Sequence, residues 1–204
     1  KEMSIRRFWA KDPKSKYRPL LLQKLYPYLS HLQNLNTNIL KLFFGYKLSE
    51  TDSPFYSHLL RWNNTNRIKN YFSDNYKELT RNHQPINDLY SHLPTRFEDY
   101  NPLSKAQWLE TNIFMSGYLL SSQGDRMAMA NSVEGRYPFL DHRIIEFCSK
   151  LKPEYKLDGL YEKKLLKKMM KDKLPAPIID RPKQAYRAPM ASSFRSEEHT
   201  SELQ

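Results

Sequence analysis

The sequence is poor in the residues and runs that mark several common classes of protein. Of its 204 residues, one is cysteine and five are glycine. The single cysteine, Cys148, excludes an internal disulfide framework and any metal site built from several cysteines. The glycines are scattered, so this chain contains no glycine-rich loop of the kind that cradles phosphate. No run of about 18 apolar residues occurs, so the sequence contains no candidate membrane-spanning helix.

Other kinds of site are missing as well. The six histidines are scattered without the spacing typical of metal ligands, and no serine nucleophile motif is present. The first residues, KEMSIRRFWAKDPK, lack the apolar centre of a secretory signal. We therefore expect a cytoplasmic protein with no membrane partner.

What the sequence does contain is apolar, aromatic and basic. Hydrophobic residues make up 39% and aromatic residues 13%, which is enough to bury a core. The formal net charge of +11 is compatible with an anionic partner or with a solvated basic surface. Because no recognised nucleic-acid-binding motif accompanies the basic and aromatic residues, we expect no nucleic-acid partner.

The hydrophobic pattern predicts a mainly α fold, since strand-like alternation is scarce. PLLLQKLYPYL (19–29) begins with a proline suited to a first helical turn, and NTNILKLFFGY (36–46) ends its apolar run at Gly45. SPFYSHLLRW (53–62) and NRIKNYFSDNYKEL (66–79) indicate two further helices. We predict that the polar NNTN between them is a turn.

The chain is predicted to divide into three parts. Residues 90–103 read as a linker, because Pro94 and Pro102 bracket a polar stretch. We therefore separate a helical region, 1–101, from a second segment, 102–194, whose first helix is predicted to begin at a Ser104 capping box and to reach about Leu120. Residues 195–204, RSEEHTSELQ, resemble the translated read-through of a sequencing adapter, and we exclude them from fold reasoning.

An amphipathic helix is predicted from Leu160 to Leu174. One half of its wheel carries leucines and methionines, and the other carries Lys164, Lys167, Lys168 and Lys171. Lys163 falls at the edge of the apolar stripe, where its ammonium either reaches water along its stem or lies in a cleft beside an anion. Glu162 also falls on the apolar side, and the pattern does not explain it.

A second charged region lies in DRMAMANSVEGRYPFLDHRIIEF (125–147). Pro138 disfavours a helix at the residue before it, and Asp141 precedes a periodic apolar run, so we predict Asp141 as a helix N-cap. Charges beside apolar residues lose solvation unless they are paired. Glu134 and Arg136 are therefore expected to pair with each other, with Asp125 and Arg126, or with a ligand.

The basic loop DRPKQAYRAP follows near the end of the chain. It carries Arg181, Lys183 and Arg187, and two prolines interrupt it. From the residues alone, phosphate binding and a bare solvated loop are equally compatible with it.

Taken together, these elements form a recognisable series. DRMAMANSVEGRYPFLDHRIIEF, EKKLLKK, LP and DRPKQAYRAP, in this order, resemble the C-terminal part of glutamine-dependent asparagine synthetase. The resemblance covers about residues 102–189, and residues 1–101 are similar to the more variable helical region that precedes it in the family. It implies the helical C-terminal portion of an α/β nucleotide-binding synthetase domain whose parallel sheet lies upstream.

The resemblance also implies an activity. Members of the family activate aspartate with ATP, and ammonia released from glutamine by an N-terminal glutaminase domain converts the aspartyl-adenylate into asparagine, AMP and pyrophosphate. ATP and Mg²⁺ are bound mainly by segments that this sequence does not contain, including the Ser-Gly-Gly-x-Asp-Ser loop. We therefore expect a fragment that is inactive alone, belonging to a parent enzyme that forms a homodimer when intact.

The resemblance assigns roles to individual residues. Lys163 matches the family's active-site lysine, which stabilises negative charge on the nucleotide phosphate and the intermediate. Arg136 is expected to contact the aspartate carboxylate. The other matching residues line or brace the cleft or belong to the basic loop near it: Asp125, Arg126, Glu134, Asp141, Arg181 and Lys183.

The chain departs from the family at some positions. Ala185 and Tyr186 stand where Gly-Phe is frequent, and Lys167 stands where arginine is common. These differences keep open a related amidotransferase or a β-lactam-forming synthetase that acts on another carboxylate. From a different class, a non-catalytic basic helical module remains an alternative.

Overall fold

The computed structural model describes residues 1–183, and it leaves the side chain of His31 undescribed. The mainly α prediction is confirmed. The α-helices are α1 (Glu2–Ala10), α2 (Ser30–Gln33), α3 (Thr37–Phe44), α4 (Tyr56–Asn66), α5 (Asp74–Thr80), α6 (Pro85–Ser91), α7 (Pro102–Leu109), α8 (Arg126–Ala130), α9 (His142–Lys150), α10 (Pro153–Lys156), α11 (Lys164–Met170) and α12 (Ala176–Asp180).

Other elements connect these helices. Single 3₁₀ segments cover Arg18–Lys24, Arg67–Tyr71, Phe97–Asp99 and Pro138–Leu140, and a π-helical stretch, Glu110–Asp125, joins α7 to α8. A two-stranded antiparallel hairpin pairs β1 (Leu157–Asp158) with β2 (Tyr161–Glu162). Within residues 1–183, none of the helices combines the length and the apolar character needed to cross a membrane.

Two hydrophobic clusters form the core. The first joins α1, the first 3₁₀ segment and α3 through Ile5, Trp9, Leu22, Leu25 and Leu40. The second joins α4, the third 3₁₀ segment and α7 through Phe55, Leu59, Phe97 and Leu109. The second cluster thus contains side chains from both sides of residue 101, and Phe97 itself lies inside the stretch that the sequence marks as a linker.

Beyond the second cluster, none of the described side chains from the π-helical stretch to residue 183 is buried. Large apolar side chains are instead exposed there, among them Met129 (77%), Phe139 (73%), Met169 (62%), Phe147 (60%) and Ile178 (54%). The two clusters therefore stabilise mainly the first half of the chain. The second half contacts it through Leu160, which packs against the first cluster, and through polar contacts such as those of Glu162 with Lys1 and of Lys156 with Gln107.

A buried arginine lies between the two clusters. Arg6 on α1 has 0% of its surface exposed. Its Nε donates a hydrogen bond of 3.1 Å to the carbonyl oxygen of Phe44, and its Nη2 donates one to the carbonyl oxygen of Tyr46. Its guanidinium carbon lies 4.8 Å from the centre of the Tyr56 ring, and its Nη1 lies 3.9 Å from Glu2 Oε1. A buried charge is tolerated only where such partners replace water.

A second polar group connects α4 to the π-helical stretch. His58 is 2% exposed, and its Nδ1 lies 2.8 Å from Ser57 Oγ. Its Nε2 lies 3.4 Å from Glu110 Oε1, and Arg61 Nη2 donates a hydrogen bond of 2.9 Å to the same oxygen. The contact with His58 lowers the pKa of Glu110 most, Arg61 lowers it further, and partial burial opposes both.

Several sequence-based boundaries need correction. The predicted NNTN turn is wrong, because α4 continues through it to Asn66. PLLLQKLYPYL forms a 3₁₀ segment that ends at Lys24 rather than one helix to Leu29. Ser104 is not the N-cap of α7, since the Asn101 side chain caps it by accepting a hydrogen bond from the Ser104 N–H. The helical path then runs past Leu120 as far as Ala130.

Replacing Arg6 tests the role of the buried guanidinium. We expect Arg6→Met to destabilise the fold by about 2–4 kcal/mol, because the carbonyl groups of Phe44 and Tyr46 lose a charged donor that is itself fully buried. The free energy of unfolding in urea measures the loss. Lys11→Met, at an exposed position at the end of the same helix, is the matched control and should change stability by less than about 0.5 kcal/mol. Equal effects of the two substitutions would contradict this role.

The lowered pKa of Glu110 predicts a pH dependence. A carboxylate whose folded pKa lies below its unfolded value stabilises the fold above the unfolded value, about 4.3, and this contribution disappears as the pH falls through the folded pKa. We therefore expect wild type to exceed Glu110→Gln in unfolding free energy at pH 7, and the difference to shrink between about pH 5 and pH 3. A difference that stays constant over this range would contradict the assigned contact.

Candidate functional site

The hairpin before α11 determines the position of Lys163. β1 and β2 pair Leu157 with Glu162 and Asp158 with Tyr161. Gly159, the first residue of the two-residue turn, has φ of +57°, which glycine adopts without steric cost. Gly159 is therefore the sequence signal for this hairpin, and Asp158 before it is already a strand residue.

The structure corrects the helix predicted over residues 160–174. α11 begins at Lys164 and ends at Met170, and Lys163 precedes it in a left-handed conformation with φ of +54°. The helical-wheel position of Lys163 therefore does not apply, because this residue is outside the helix. Its side chain is exposed.

Glu162 connects this hairpin to the basic loop. Its Oε1 accepts a hydrogen bond of 3.0 Å from the backbone N–H of Lys183 and lies 3.2 Å from Lys1 Nζ. Burial would raise the pKa of Glu162, but the contacts with Lys183 and Lys1 outweigh it and lower the pKa. Consequently the chain at Lys183 lies against the residue that immediately precedes Lys163.

The second group of candidate residues lies in the loop after α8. Arg136 donates from Nε to Glu134 Oε1 at 3.0 Å, and its Nη2 lies 2.9 Å from the same oxygen. Among the pairings that the sequence left open, the structure therefore has the one between Glu134 and Arg136. Both side chains are largely exposed, at 75% and 81%. An exposed pair of this kind contributes at most about 1 kcal/mol, so a ligand carboxylate can replace Glu134 at small cost.

Tyr137 folds back over this loop. A Cβ at Gly135 would lie only 2.8 Å from Tyr137 Cζ, and a Cβ at Gly124 would lie 3.6 Å from the Tyr137 hydroxyl oxygen. Burial raises the pKa of Tyr137, and so do the negative charge of Asp125 and its hydrogen bond with the phenol. Tyr137 therefore ties Asp125, at the end of the π-helical stretch, to the loop that carries Arg136. The sequence showed Tyr137 only as an interruption of the helix.

Asp141 caps α9, as predicted. Its Oδ1 accepts hydrogen bonds from the backbone N–H of Arg143 at 2.9 Å and from the Arg143 Nε at 3.0 Å, and its Oδ2 accepts one from Nη2 at 2.8 Å. The Arg143 side chain, and then its backbone N–H, lower the pKa of Asp141. Its carboxylate is therefore satisfied locally, and its role is to begin the helix.

The structure thus brings the candidate residues together in two groups. One contains Asp125, Glu134 and Arg136 with Tyr137, and the other contains Lys163 and Lys183 with Glu162. None of the hydrogen bonds or ion pairs within residues 1–183 joins the two groups. Arg126 and Arg181 are exposed, and Ala185, Tyr186, Arg187 and the segment 195–204 lie outside the described residues.

Among residues 1–183, no group of three or more histidine, cysteine or acidic side chains is arranged to hold a metal ion. The two groups instead offer ammonium, guanidinium and backbone N–H donors. These are the donors that bind carboxylates and phosphates.

Comparison with curated proteins gives several partial relatives. Amidase chyE of Penicillium rubens is 36% identical over 96 residues, which is 44% of this chain and 14% of that protein. Asparagine synthetase (glutamine-hydrolyzing) 1 of Bacillus subtilis is 29% identical over 124 residues, 59% of this chain and 20% of that protein. Asparagine synthetase (glutamine-hydrolyzing) 2 of the same organism is 39% identical over 59 residues, 29% of this chain and 8% of that protein.

The chain thus spans no more than 20% of the length of these relatives. No solved structure matches it. The model of the asparagine synthase family, in contrast, matches residues 13–203, which is nearly the whole sequence. That match includes the loop of Arg136, the hairpin before Lys163 and the basic segment at Lys183, and by it the chain belongs to the asparagine synthase family.

Proposed function

We propose that this chain is part of a glutamine-hydrolysing asparagine synthetase. In the reaction, the β-carboxylate of aspartate attacks the α-phosphorus of ATP and pyrophosphate leaves. Ammonia then attacks the acyl carbon of the adenylate, and AMP leaves with asparagine as the product. The observation that carries this proposal is the family match over residues 13–203, because it covers both groups of candidate residues.

Lys163 is the proposed catalytic residue. A non-glycine residue at positive φ costs about 1 kcal/mol or more, and such outliers occur often at functional sites. Lys163 precedes α11 and is therefore not one of the lysines on the surface of that helix. An ammonium held beside a phosphate stabilises the charge that develops there when pyrophosphate leaves.

Arg136 is the proposed substrate-binding residue. Its guanidinium already holds a carboxylate, that of Glu134, through two nitrogen atoms. The planar fork of arginine suits carboxylates better than the single charge of lysine. We propose that aspartate takes the place of Glu134, that Asp125 and Arg126 line the cleft, and that Asp141 braces it.

ATP and Mg²⁺ are the proposed cofactors. The positive charges of Lys163, Arg181 and Lys183 fit the phosphates of a nucleotide, whereas residues 1–183 offer neither a glycine-rich cradle nor a cluster of metal ligands. We therefore propose that further segments of the protein supply the cradle and most of the Mg²⁺ ligands. ATP, when bound, supplies the leaving group.

The surroundings of the site support a larger protein. Large exposed apolar side chains on α8, α9, α11 and α12 need a cover of similar character, which further parts of a synthetase domain would provide. A glutaminase domain would supply ammonia, and the intact enzyme is proposed to be a cytoplasmic homodimer without a membrane or nucleic-acid partner. The chain alone would then be inactive.

The alternative with specific support is a related enzyme that amidates another carboxylate. Two of the matching relatives are called amidases, including the one from Penicillium rubens. A β-lactam-forming enzyme belongs to the same alternative. The rival from another class, a non-catalytic basic module, rests only on the net charge of +11.

Substitution of Lys163 tests the catalytic proposal. In the protein that contains the whole synthetase domain, Lys163→Asn should lower aspartate-dependent pyrophosphate release by about 100-fold or more, because the charge is lost. Asparagine is chosen because it tolerates the left-handed conformation, so that the backbone is preserved. Lys168→Asn, at an exposed position on α11, is the matched control. Release within threefold of wild type in Lys163→Asn would overturn the assignment.

Substitution of Arg136 tests the substrate. Arg136→Met should raise the KM for aspartate by about tenfold or more while changing the KM for ATP little, because the guanidinium is proposed to hold only the carboxylate. Lys150→Met, at an exposed position at the end of α9, is the control. Comparison of aspartate with other amino-acid carboxylates in the same assay distinguishes the alternative, which predicts turnover of another acid in place of aspartate.

A further inference from the structure

Glu162 is the residue whose charge the sequence pattern did not explain. Its side chain is 21% exposed and lies on β2, opposite Leu157. We propose that Glu162 is a positioning residue, which holds the backbone at Lys183 against the hairpin so that the side chains of Lys163 and Lys183 face the same anion. This inference rests on the proposed function of Lys163.

The path of the chain brings Lys183 back to the hairpin. After β2 the chain forms α11 and α12 and returns to the hairpin 21 residues later, where the Lys183 N–H donates to Glu162 Oε1 at 3.0 Å. Pro182 has no N–H of its own, so Lys183 offers the first backbone donor after Arg181. A hydrogen bond to a charged acceptor is about twice as strong as a neutral one. Glu162 thus fixes the position of the backbone at Lys183.

The charge of Glu162 is compatible with a phosphate nearby. A free carboxylate beside a phosphate would repel it, but this carboxylate already accepts the Lys183 N–H and lies 3.2 Å from the Lys1 ammonium. This carboxylate does not pair with the ammonium group of Lys163 or with that of Lys183. They remain available to an anion.

The position of Glu162 also bears on the backbone of Lys163. The carboxylate fixes the last strand residue, while Lys164 at the start of α11 is held by its ion pair with Asp158. Lys163 lies between these two anchors at φ of +54°. Losing the first anchor allows the hairpin to relax away from this disfavoured conformation.

The experiment uses the protein with its whole synthetase domain and compares two ways of breaking the bond. Glu162→Ala removes the acceptor, and Lys183→Pro removes the N–H; Lys183→Ala keeps the N–H and controls for the lost side chain. Glu162→Ala should raise the KM for ATP by about tenfold, and Lys183→Pro should raise it about tenfold beyond Lys183→Ala, which shares the loss of the ammonium. Adding Glu162→Ala to Lys183→Pro should raise it no further, because both changes then remove the same hydrogen bond. Glu154→Ala, at an exposed glutamate on α10, should leave the KM unchanged.

Hydrogen exchange of the Lys183 amide provides a readout that needs no activity. Exchange should accelerate at least tenfold in Glu162→Ala and only slightly in Glu162→Gln, whose amide oxygen still accepts. Because the pKa of Glu162 is lowered, acidification should reduce the protection only to the level of Glu162→Gln, since a protonated carboxyl still offers a carbonyl oxygen.

The outcomes separate this inference from the proposed function. Unchanged exchange of the Lys183 amide in Glu162→Ala would overturn the inference whatever the activity. Faster exchange with an unchanged KM for ATP, while Lys163→Asn is inactive, would also overturn it, since the contact would then not serve the site. Full activity in Lys163→Asn would instead overturn the proposed function, and the exchange result would remain as a structural contact.

Discussion

The buried guanidinium of Arg6 is the constraint on which the first half of the structure depends. It lies between two apolar clusters and satisfies the carbonyl groups at the end of α3, which have no partner within their own helix. Its helix thereby fixes the position of α3 and of Tyr56 at the start of α4. α4 in turn holds the π-helical stretch through His58 and Glu110. The order of the helices therefore follows from polar contacts as much as from apolar packing.

The proposed site is built differently. Its residues lie between 125 and 183, where the described chain has no buried side chain, so its geometry depends on a few polar contacts. Tyr137 lies beside Asp125, and Glu162 holds the Lys183 segment beside Lys163. Contacts of this kind open more easily than a packed core.

The sequence predicted the elements whose signals are local. Gly45 ends α3 and Asp141 begins α9, because the capping of a helix end depends on residues next to it. The Ser104 cap was wrong because Asn101 competes for the same helix end and is followed by Pro102. The 160–174 helix was too long because leucine and lysine periodicity outweighed the turn signal of Gly159. The partners of Arg6, Phe44 and Tyr46, lie 38 and 40 residues away and use backbone oxygen atoms, so no side-chain pattern could identify them. The contact between Glu162 and Lys183 likewise joins residues far apart in the sequence through a backbone group, so no side-chain pattern could identify it.

The exposed apolar side chains of α8 to α12 share their surface with an excess of positive charge. Like-charged molecules repel one another at low ionic strength, and this repulsion has a range of about 10 Å at 0.1 M salt and about 3 Å at 1 M. The same side chains attract one another at contact. A chain with a net charge of +11 should therefore stay dispersed in dilute buffer and self-associate as salt is added. The excess of positive charge thus keeps apart apolar surfaces that would otherwise meet.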